Sequence, residues 1–266
     1  MPTAQRLTRA PETSPVPSRR RQFFIAAGLL VAGDTLFWAM LAAVQSDSGI
    51  AAWDGPVHDG LVASRSPMAT AVLAAVSTVT SPLWMSVIGV AFGLAWAAWK
   101  RELWRPALLI GAMAATFALS TLIKHEVNRA RPAAGDFLMG PDDALSFPSG
   151  HTFGAGVFLL VLAHLFVAGR GKRSTAVLAF AAAGAGTVLV AISRLYLGYH
   201  WLTDVFASLG LAVAVTGIVI LADGLRTARS SRQSGAVADG QSSDARVEDA
   251  RLESDSHGLG DHDGRS

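Results

Sequence analysis

The sequence predicts an all-α, polytopic membrane protein, a bundle of six transmembrane helices, on three observations. Hydrophobic residues make up 51% of the chain and charged residues only 16%, against about a quarter charged in soluble domains. The deficit is concentrated between the two polar ends. Six apolar stretches there each approach the ~20 residues that cross a hydrocarbon core. Clusters of Lys and Arg flank alternate ends of these stretches.

Residues 1–22 form a polar, proline-rich head ending in Arg19-Arg20-Arg21. The first apolar run, Phe23–Val44, is longer than the ~7–15 residues of a signal-peptide core, so it reads as a retained span. Arg20-Arg21-Gln22-Phe23-Phe24 faintly resembles a twin-arginine export signal, a reading set aside because further spans follow. A mildly apolar segment, Ala69–Thr80, is expected as an amphipathic or partly inserted helix. Spans two to six follow at Leu83–Trp99, Pro106–Ile123, Thr152–Ala168, Ser174–Ser193 and Trp201–Ala222. They must be helices, because an isolated strand leaves its backbone unpaired in lipid. The expected division is a polar head over 1–22, a membrane domain over 23–222 and a tail over 223–266. That tail is rich in Ser, Gly, Asp and Arg and is expected to be disordered.

Four basic clusters fall on one side of a six-span layout: Arg19–Arg21; Lys100, Arg101 and Arg105; Arg170, Lys172 and Arg173; and Arg226, Arg229 and Arg232. The positive-inside rule makes that side cytoplasmic, with both termini on it. A multi-pass protein of a bacterial inner membrane is expected. The chain has no cysteine, which excludes disulfides and thiolate chemistry, and a net charge of +2, too small to imply nucleic acid. No cofactor and no metal are expected, and nothing in the sequence specifies an oligomeric state.

Three short segments hold the polar residues that the topology leaves over: 124–132, from Lys124 to Pro132; 147–151, from Phe147 to His151; and 193–204, from Ser193 to Asp204. The span count sets all three at the extracytoplasmic face. Lys124, Arg131 and Arg194 supply cations suited to phosphate oxygens. Pro148-Ser149-Gly150-His151 sits where a helix begins, and free amides there favour an anion. Gly150 would allow close approach of the backbone. His200 and Asp204, four apart at the start of span six, are expected to share a helix face. The carboxylate would then fix the imidazole tautomer and leave the other nitrogen to attack phosphorus. His151 would protonate the leaving alkoxide and later activate water.

The patterns K-x6-R-P at Lys124/Arg131/Pro132, P-S-G-H at Pro148–His151 and S-R-x5-H-x3-D at Ser193/Arg194/His200/Asp204 resemble those of the type 2 phosphatidic acid phosphatase (PAP2) superfamily. That superfamily also holds bacterial acid phosphatases and vanadium haloperoxidases. The resemblance covers roughly residues 50–222, and all three motifs are matched in order. It implies a PAP2/haloperoxidase-like helical core and a membrane phosphatase acting on a lipid phosphate or isoprenoid diphosphate. It assigns phosphate binding to Lys124, Arg131, Ser149, Gly150 and Arg194, and catalysis to His200, His151 and Asp204, through a phosphohistidine. The substrates it implies are undecaprenyl diphosphate, phosphatidic acid or phosphatidylglycerol phosphate, with a prenyl diphosphate placed first. The expected partners are that lipid substrate and the bilayer.

Blander readings apply to the same residues. Lys124 and Arg131 alone read as snorkelling side chains, and His200 between Tyr199 and Trp201 as part of an interfacial aromatic belt. Neither accounts for Asp204 inside a span, where an ionisable group is a functional candidate. His151 alone reads as a helix cap. His164 reads as a packed, hydrogen-bonded residue and Asp34 as a structural hydrogen-bonding group. His125, Asp142 and Asp143 read as solvated loop residues. Glu126, Asn128 and Arg129 lie near the site without an assigned role. A non-hydrolytic lipid or phosphate-anion transporter is the alternative of another class, but it calls for polar residues running down several spans. Spans four to six are nearly all apolar. A degenerate scaffold would have lost His151 or His200.

Overall fold

A computed structural model describes residues 19–168 and 172–227. Helix α1 runs over Arg19–Ser46. A 3-10 turn at Gly49–Trp53 leads into α2, Asp54–Ala63, and then α3, Pro67–Val79. The long helices follow as α4 (Pro82–Lys100), α5 (Trp104–Val127), α6 (Gly150–Val167), α7 (Arg173–Tyr196) and α8 (Leu202–Thr227). Six of these, all but α2 and α3, are long and apolar enough to cross a membrane. No strand occurs among the described residues.

The six expected spans match these helices with shifts at their ends. Helix α1 begins at Arg19, inside the expected polar head. Helix α8 continues to Thr227, past the expected end at Ala222. The chain divides after Leu221 into two units, and of the second only residues 222–227, the final turns of that helix, are described. The remaining expectations for the head and tail, and for Arg170, Arg229 and Arg232, lie outside the described residues. The segment expected at Ala69–Thr80 is helix α3. Its 13 residues span roughly 20 Å at 1.5 Å each, short of the ~30 Å core.

Local chemistry sets several boundaries. Ser66 and Ser81 each accept a bond from the amide three residues on, at 3.4 Å, and each is followed by a proline at the first helical position. This pairing of a hydroxyl N-cap with an N1 proline starts α3 and α4. Asn128 ends α5 in a left-handed conformation, φ 49°, which asparagine tolerates better than most residues.

Helices α6 and α8 are the most enclosed of the six. Around them lies a core containing Phe147, Phe153, Val157, Val161, Leu165, Ala207 and Leu211, joined by Phe37 of α1 and Leu109 of α5. The outer faces carry Val31, Trp38, Leu83, Leu94, Phe117, Leu178 and Ile218, all exposed. Apolar side chains gain little by leaving lipid for one another, so close packing of small residues must hold such helices together. An added Cβ on Gly33 would lie 2.4 Å from the Gly210 carbonyl oxygen, and one on Gly217 2.7 Å from that of Ala26. Helices α1 and α8 thus meet backbone to backbone. Gly156 of α6 makes room for side chains instead: an added Cβ would lie 2.8 Å from Ala212 Cβ of α8 and 3.0 Å from Thr187 Cγ2 of α7.

The α1–α8 seam predicts the response to a side chain there. Gly33→Val is expected to lower stability in detergent by about 1–3 kcal/mol through overpacking. Gly28→Val, on the same helix with nothing within 4 Å of its added Cβ, should melt like the wild type in the same thermal scan.

Candidate active site

The three polar segments meet around the first turns of α6 and α8. Helix α8 starts at Leu202, so His200 precedes it rather than lying on it. The expected shared helix face is corrected on this point, yet the contact forms. Asp204, in the first turn, accepts a bond through Oδ2 from the Trp201 amide at 2.9 Å. This is the carboxylate half of a capping box. The same Oδ2 faces His200 Nδ1 at 3.2 Å and accepts the hydroxyl of Ser146. His200 Nε2 faces Arg131 Nη1 at 3.3 Å. A proton on Nδ1 satisfies Asp204 and leaves the Nε2 lone pair toward the guanidinium. His200 and Asp204 are both buried.

Arg131 is oriented from several sides. Its Nη1 donates to the Tyr199 carbonyl at 2.8 Å, its Nε to the Ala144 carbonyl, and Nη2 pairs with Asp142 at 2.9 Å. Asp142 is therefore an ion-pair partner, not the solvated loop residue expected. Asp143 and His125 are exposed. Burial holds Arg131 below its usual pKa, and a guanidinium that begins so high stays charged. Lys124, at the end of α5, reaches the carbonyls of Leu145 and Ser146.

Arg194 is 3% exposed. Its Nη1 donates to Ser77 of α3, while its Nε is buried without a hydrogen-bond partner. Such an orphaned charged donor is uncommon in a folded protein and calls for an acceptor. The guanidinium lies 4.3 Å from the centre of the Tyr199 ring, and that of Arg131 lies 5.9 Å from it. One aromatic ring thus attracts both cations. Phe137 stacks on Tyr199, whose hydroxyl bonds Gly140, so the ring is fixed.

His151 lies in the first turn of α6. Ser149 is the N-cap of that helix, its hydroxyl accepting from the Thr152 amide. Pro148 therefore lies just outside the helix, not at its first position. The amides of Gly150 and His151 are the first of the helix, where no intrahelical acceptor exists. An added Cβ on Gly150 would meet Pro82 and Ser120 only at ordinary contact distance. Protein crowding thus does not account for the glycine.

The remaining expectations divide. His164 is 13 positions along α6 from His151, roughly 20 Å at helical rise. Asp34 lies on the exposed face of α1. Arg129, left without a role, bridges Asp204 and Asp54 at 2.6 Å each. Asp54, Ser146, Ser77 and Thr203 were not singled out from the sequence. Ser146 and Thr203 carry a signal, the first beside Phe147-Pro148 and the second inside the 193–204 segment. Among the described residues no group of three or more His, Asp or Glu is arranged to hold a metal. The site is a buried imidazole–carboxylate pair facing three cations, an arrangement suited to an anion.

Residues 105–227 match the PAP2 superfamily. A curated relative, phosphatidylglycerophosphatase B of Bacillus subtilis, is 27% identical over 69% of this chain and 90% of its own length. The crystal structure of a transmembrane PAP2-type phosphatidylglycerolphosphate phosphatase from Bacillus subtilis superposes with a TM-score of 0.65 at 23% identity. It covers 72% of this chain and 96% of that one. That likeness shows a shared fold.

One glycine joins α7 to His200. Gly198 has φ +88°, and an added Cβ would lie 2.5 Å from the Asp136 carbonyl oxygen and 2.9 Å from Arg65 Nη2. Gly198→Ala is expected to cost at least about 1–2 kcal/mol from the backbone alone. Gly135→Ala, with open space around its Cβ, should be nearly neutral in the same melting experiment.

Proposed function

We propose that this chain, whose residues 105–227 match the PAP2 superfamily and which resembles a phosphatidylglycerophosphatase, is a membrane phosphatase of that superfamily and hydrolyses a lipid phosphomonoester through a phosphohistidine on His200. The observation that carries this reading is the line Asp204 Oδ2–His200 Nδ1, His200 Nε2–Arg131 Nη1. It aims an unprotonated nitrogen at the place where a guanidinium would hold phosphate oxygens.

His200 Nε2 forms a bond to phosphorus as the ester P–O bond breaks, and the lipid alkoxide leaves with a proton from His151. Water then attacks phosphorus and gives a proton back to His151. The N–P bond breaks, and inorganic phosphate departs. Lys124, Arg131, Arg194 and the first amides of α6 hold the charge on the equatorial oxygens. Ser149 acts through its cap, which sets where those amides point. The transporter alternative asks for a polar path along the spans, whereas α6 and α8 are packed with the apolar core.

Similarity to the phosphatidylglycerophosphatase moves phosphatidylglycerophosphate ahead of the prenyl diphosphate favoured by the motifs alone. Purified protein in detergent with EDTA is expected to release phosphate from phosphatidylglycerophosphate faster than from phosphatidic acid or undecaprenyl diphosphate. His200→Ala should abolish release from all three. Release surviving that substitution would sink the phosphohistidine route, and a preference for the diphosphate would restore the carrier-lipid reading.

Burial, aided by Arg131, Arg194 and Lys124, holds the His200 imidazole well below its ordinary pKa, near 6.5. The nucleophile is therefore neutral, and its activity should persist as pH falls through 6.5. In kcat/KM corrected for the second ionisation of the phosphate, near ~6, the acid limb should lie below that value. The unfolded chain protonates this ring at about 6.5 and the folded chain does not, so stability contributed by its burial is present above that pH and declines below it.

The site is placed on the extracytoplasmic face of a bacterial inner membrane, a reading supported by Lys100, Arg101 and Arg105 at the opposite ends of α4 and α5. The chain has no cysteine, so single cysteines report sidedness directly. With a membrane-impermeant maleimide on intact spheroplasts, Ala133→Cys is expected to label, and Arg101→Cys only after permeabilisation. The reverse pattern would invert the topology.

A further inference from the structure

We propose that Arg129 and Asp54 are positioning residues for the same reaction, the outer half of a chain His200–Asp204–Arg129–Asp54. The proposal rests on the reading of His200 as nucleophile. Arg129 differs from the other cations of the site because both of its terminal nitrogens are committed to carboxylates. Its Nη1 donates to Asp204 Oδ1 at 2.6 Å and to Thr203 Oγ1 at 2.7 Å, and its Nη2 to Asp54 Oδ2 at 2.6 Å. Asp54 in turn receives the Thr203 amide on Oδ1 at 2.9 Å and the Thr203 hydroxyl on Oδ2 at 2.7 Å. The first turn of α8 is thus pinned through Thr203 while its Asp204 is gripped through Arg129. Asp54, Thr203 and Asp204 are all buried.

The bond to Oδ1 decides how Asp204 presents itself. With that oxygen held, Oδ2 is left for His200, Ser146 and the Trp201 amide. Without Arg129 the carboxylate is free to turn, and a buried charge loses its nearest counter-ion, which is costly. Asp54 supplies the charge balance. Asp204 and Arg129 alone sum to zero, whereas with Asp54 the three carry one net negative charge. A phosphoryl group arriving on Nε2 makes the His200 ring cationic, so that surplus charge is available when the ring needs it. No proton moves along the chain in this scheme. Asp54 begins α2, outside residues 105–227 that match the superfamily, so an element preceding the matched domain completes the catalytic geometry.

The test uses the full-length protein in detergent with phosphatidylglycerophosphate as substrate. The variants are Arg129→Gln, Arg129→Lys, Asp54→Asn and the double variant Arg129→Gln/Asp54→Asn. Each Arg129 variant is expected to lose about 10–100-fold in kcat, the range seen when residues that orient a reacting side chain are removed. KM and the inhibition constant of inorganic phosphate should stay within about twofold, because Lys124, Arg131 and Arg194 remain. Lysine cannot bridge two carboxylates and should rescue little. If Asp54 acts through Arg129, the double variant loses no more than Arg129→Gln alone. A folded Arg129→Gln with wild-type kcat would overturn the proposal. So would independent, multiplying losses in the double variant, or a rise in KM and phosphate inhibition constant at unchanged kcat, which would make Arg129 a phosphate ligand. Should Arg129→Gln fail to fold, the near-isosteric Asp54→Asn carries the test, and wild-type kcat there overturns it. His200→Ala separates the two levels. Full activity in that variant defeats the nucleophile reading itself, while an inactive His200→Ala beside a fully active Arg129→Gln defeats only the positioning chain.

Discussion

A carboxylate enclosed by protein at the end of an apolar bundle stays ionised only if fixed donors replace the water it has lost. Asp204 meets that condition with groups from separate parts of the chain. Ser146 comes from the loop before α6, Arg129 from the turn after α5, and His200 and Trp201 from the link between α7 and α8. Through Arg129 the requirement extends to Asp54 on α2. Satisfying this one group therefore brings together every segment that the candidate chemistry uses. The arrangement of the cations follows from it, since Arg131 is placed by the Tyr199 carbonyl beside His200 and Lys124 by the carbonyls of Leu145 and Ser146.

The rest of the bundle keeps that meeting point rigid by means suited to lipid. Apolar surface covers the outside as well as the core, so a hydrophobic driving force between helices is weak and close contact has to take its place. Gly33, Gly210 and Gly217 supply it by removing side chains where backbones approach, and Gly156 by making room for the side chains of Ala212 and Thr187. At the site end, packing becomes aromatic and polar instead. Tyr196 receives the Ser66 amide on its hydroxyl, and Arg65 donates to the carbonyls of Tyr196 and Asp136. These bonds tie α3 and the 134–136 turn to the end of α7, where Ser77 can hold Arg194.

The sequence made the spans legible because a membrane helix writes itself as an uninterrupted apolar run. Their ends were less so. Residues 19–22 are polar, as are Asp223, Arg226 and Thr227 at the other end, and polar residues continue a helix as readily as they end one once they leave the hydrocarbon. The motif residues could be read because Lys124, Arg131, His151, Arg194, His200 and Asp204 are costly where they stand and recur at fixed spacing. Their supports could not. Asp54, Ser77 and Ser146 look like ordinary loop or interfacial residues, and their side-chain partners Thr203, Arg194 and Asp204 lie 149, 117 and 58 positions away. Ser149, assigned to phosphate binding by the resemblance, also caps α6 through its hydroxyl, and the sequence alone does not separate those two uses. Arg129 was the hardest case. One more arginine among several betrays nothing until both of its carboxylates are seen.

The contact between α1 and α8 joins the first described span to the last. During synthesis on a membrane the spans emerge in order, and α1 must wait through all the others before its Gly33 face meets Gly210. The same final span delivers Asp204. Closure of the bundle and assembly of the reactive pair are therefore one event in the life of each chain. A ribosome that stalls before Leu202 leaves an incomplete protein whose unfilled seam is open to quality control, and one that exposes lipids to no half-built phosphatase.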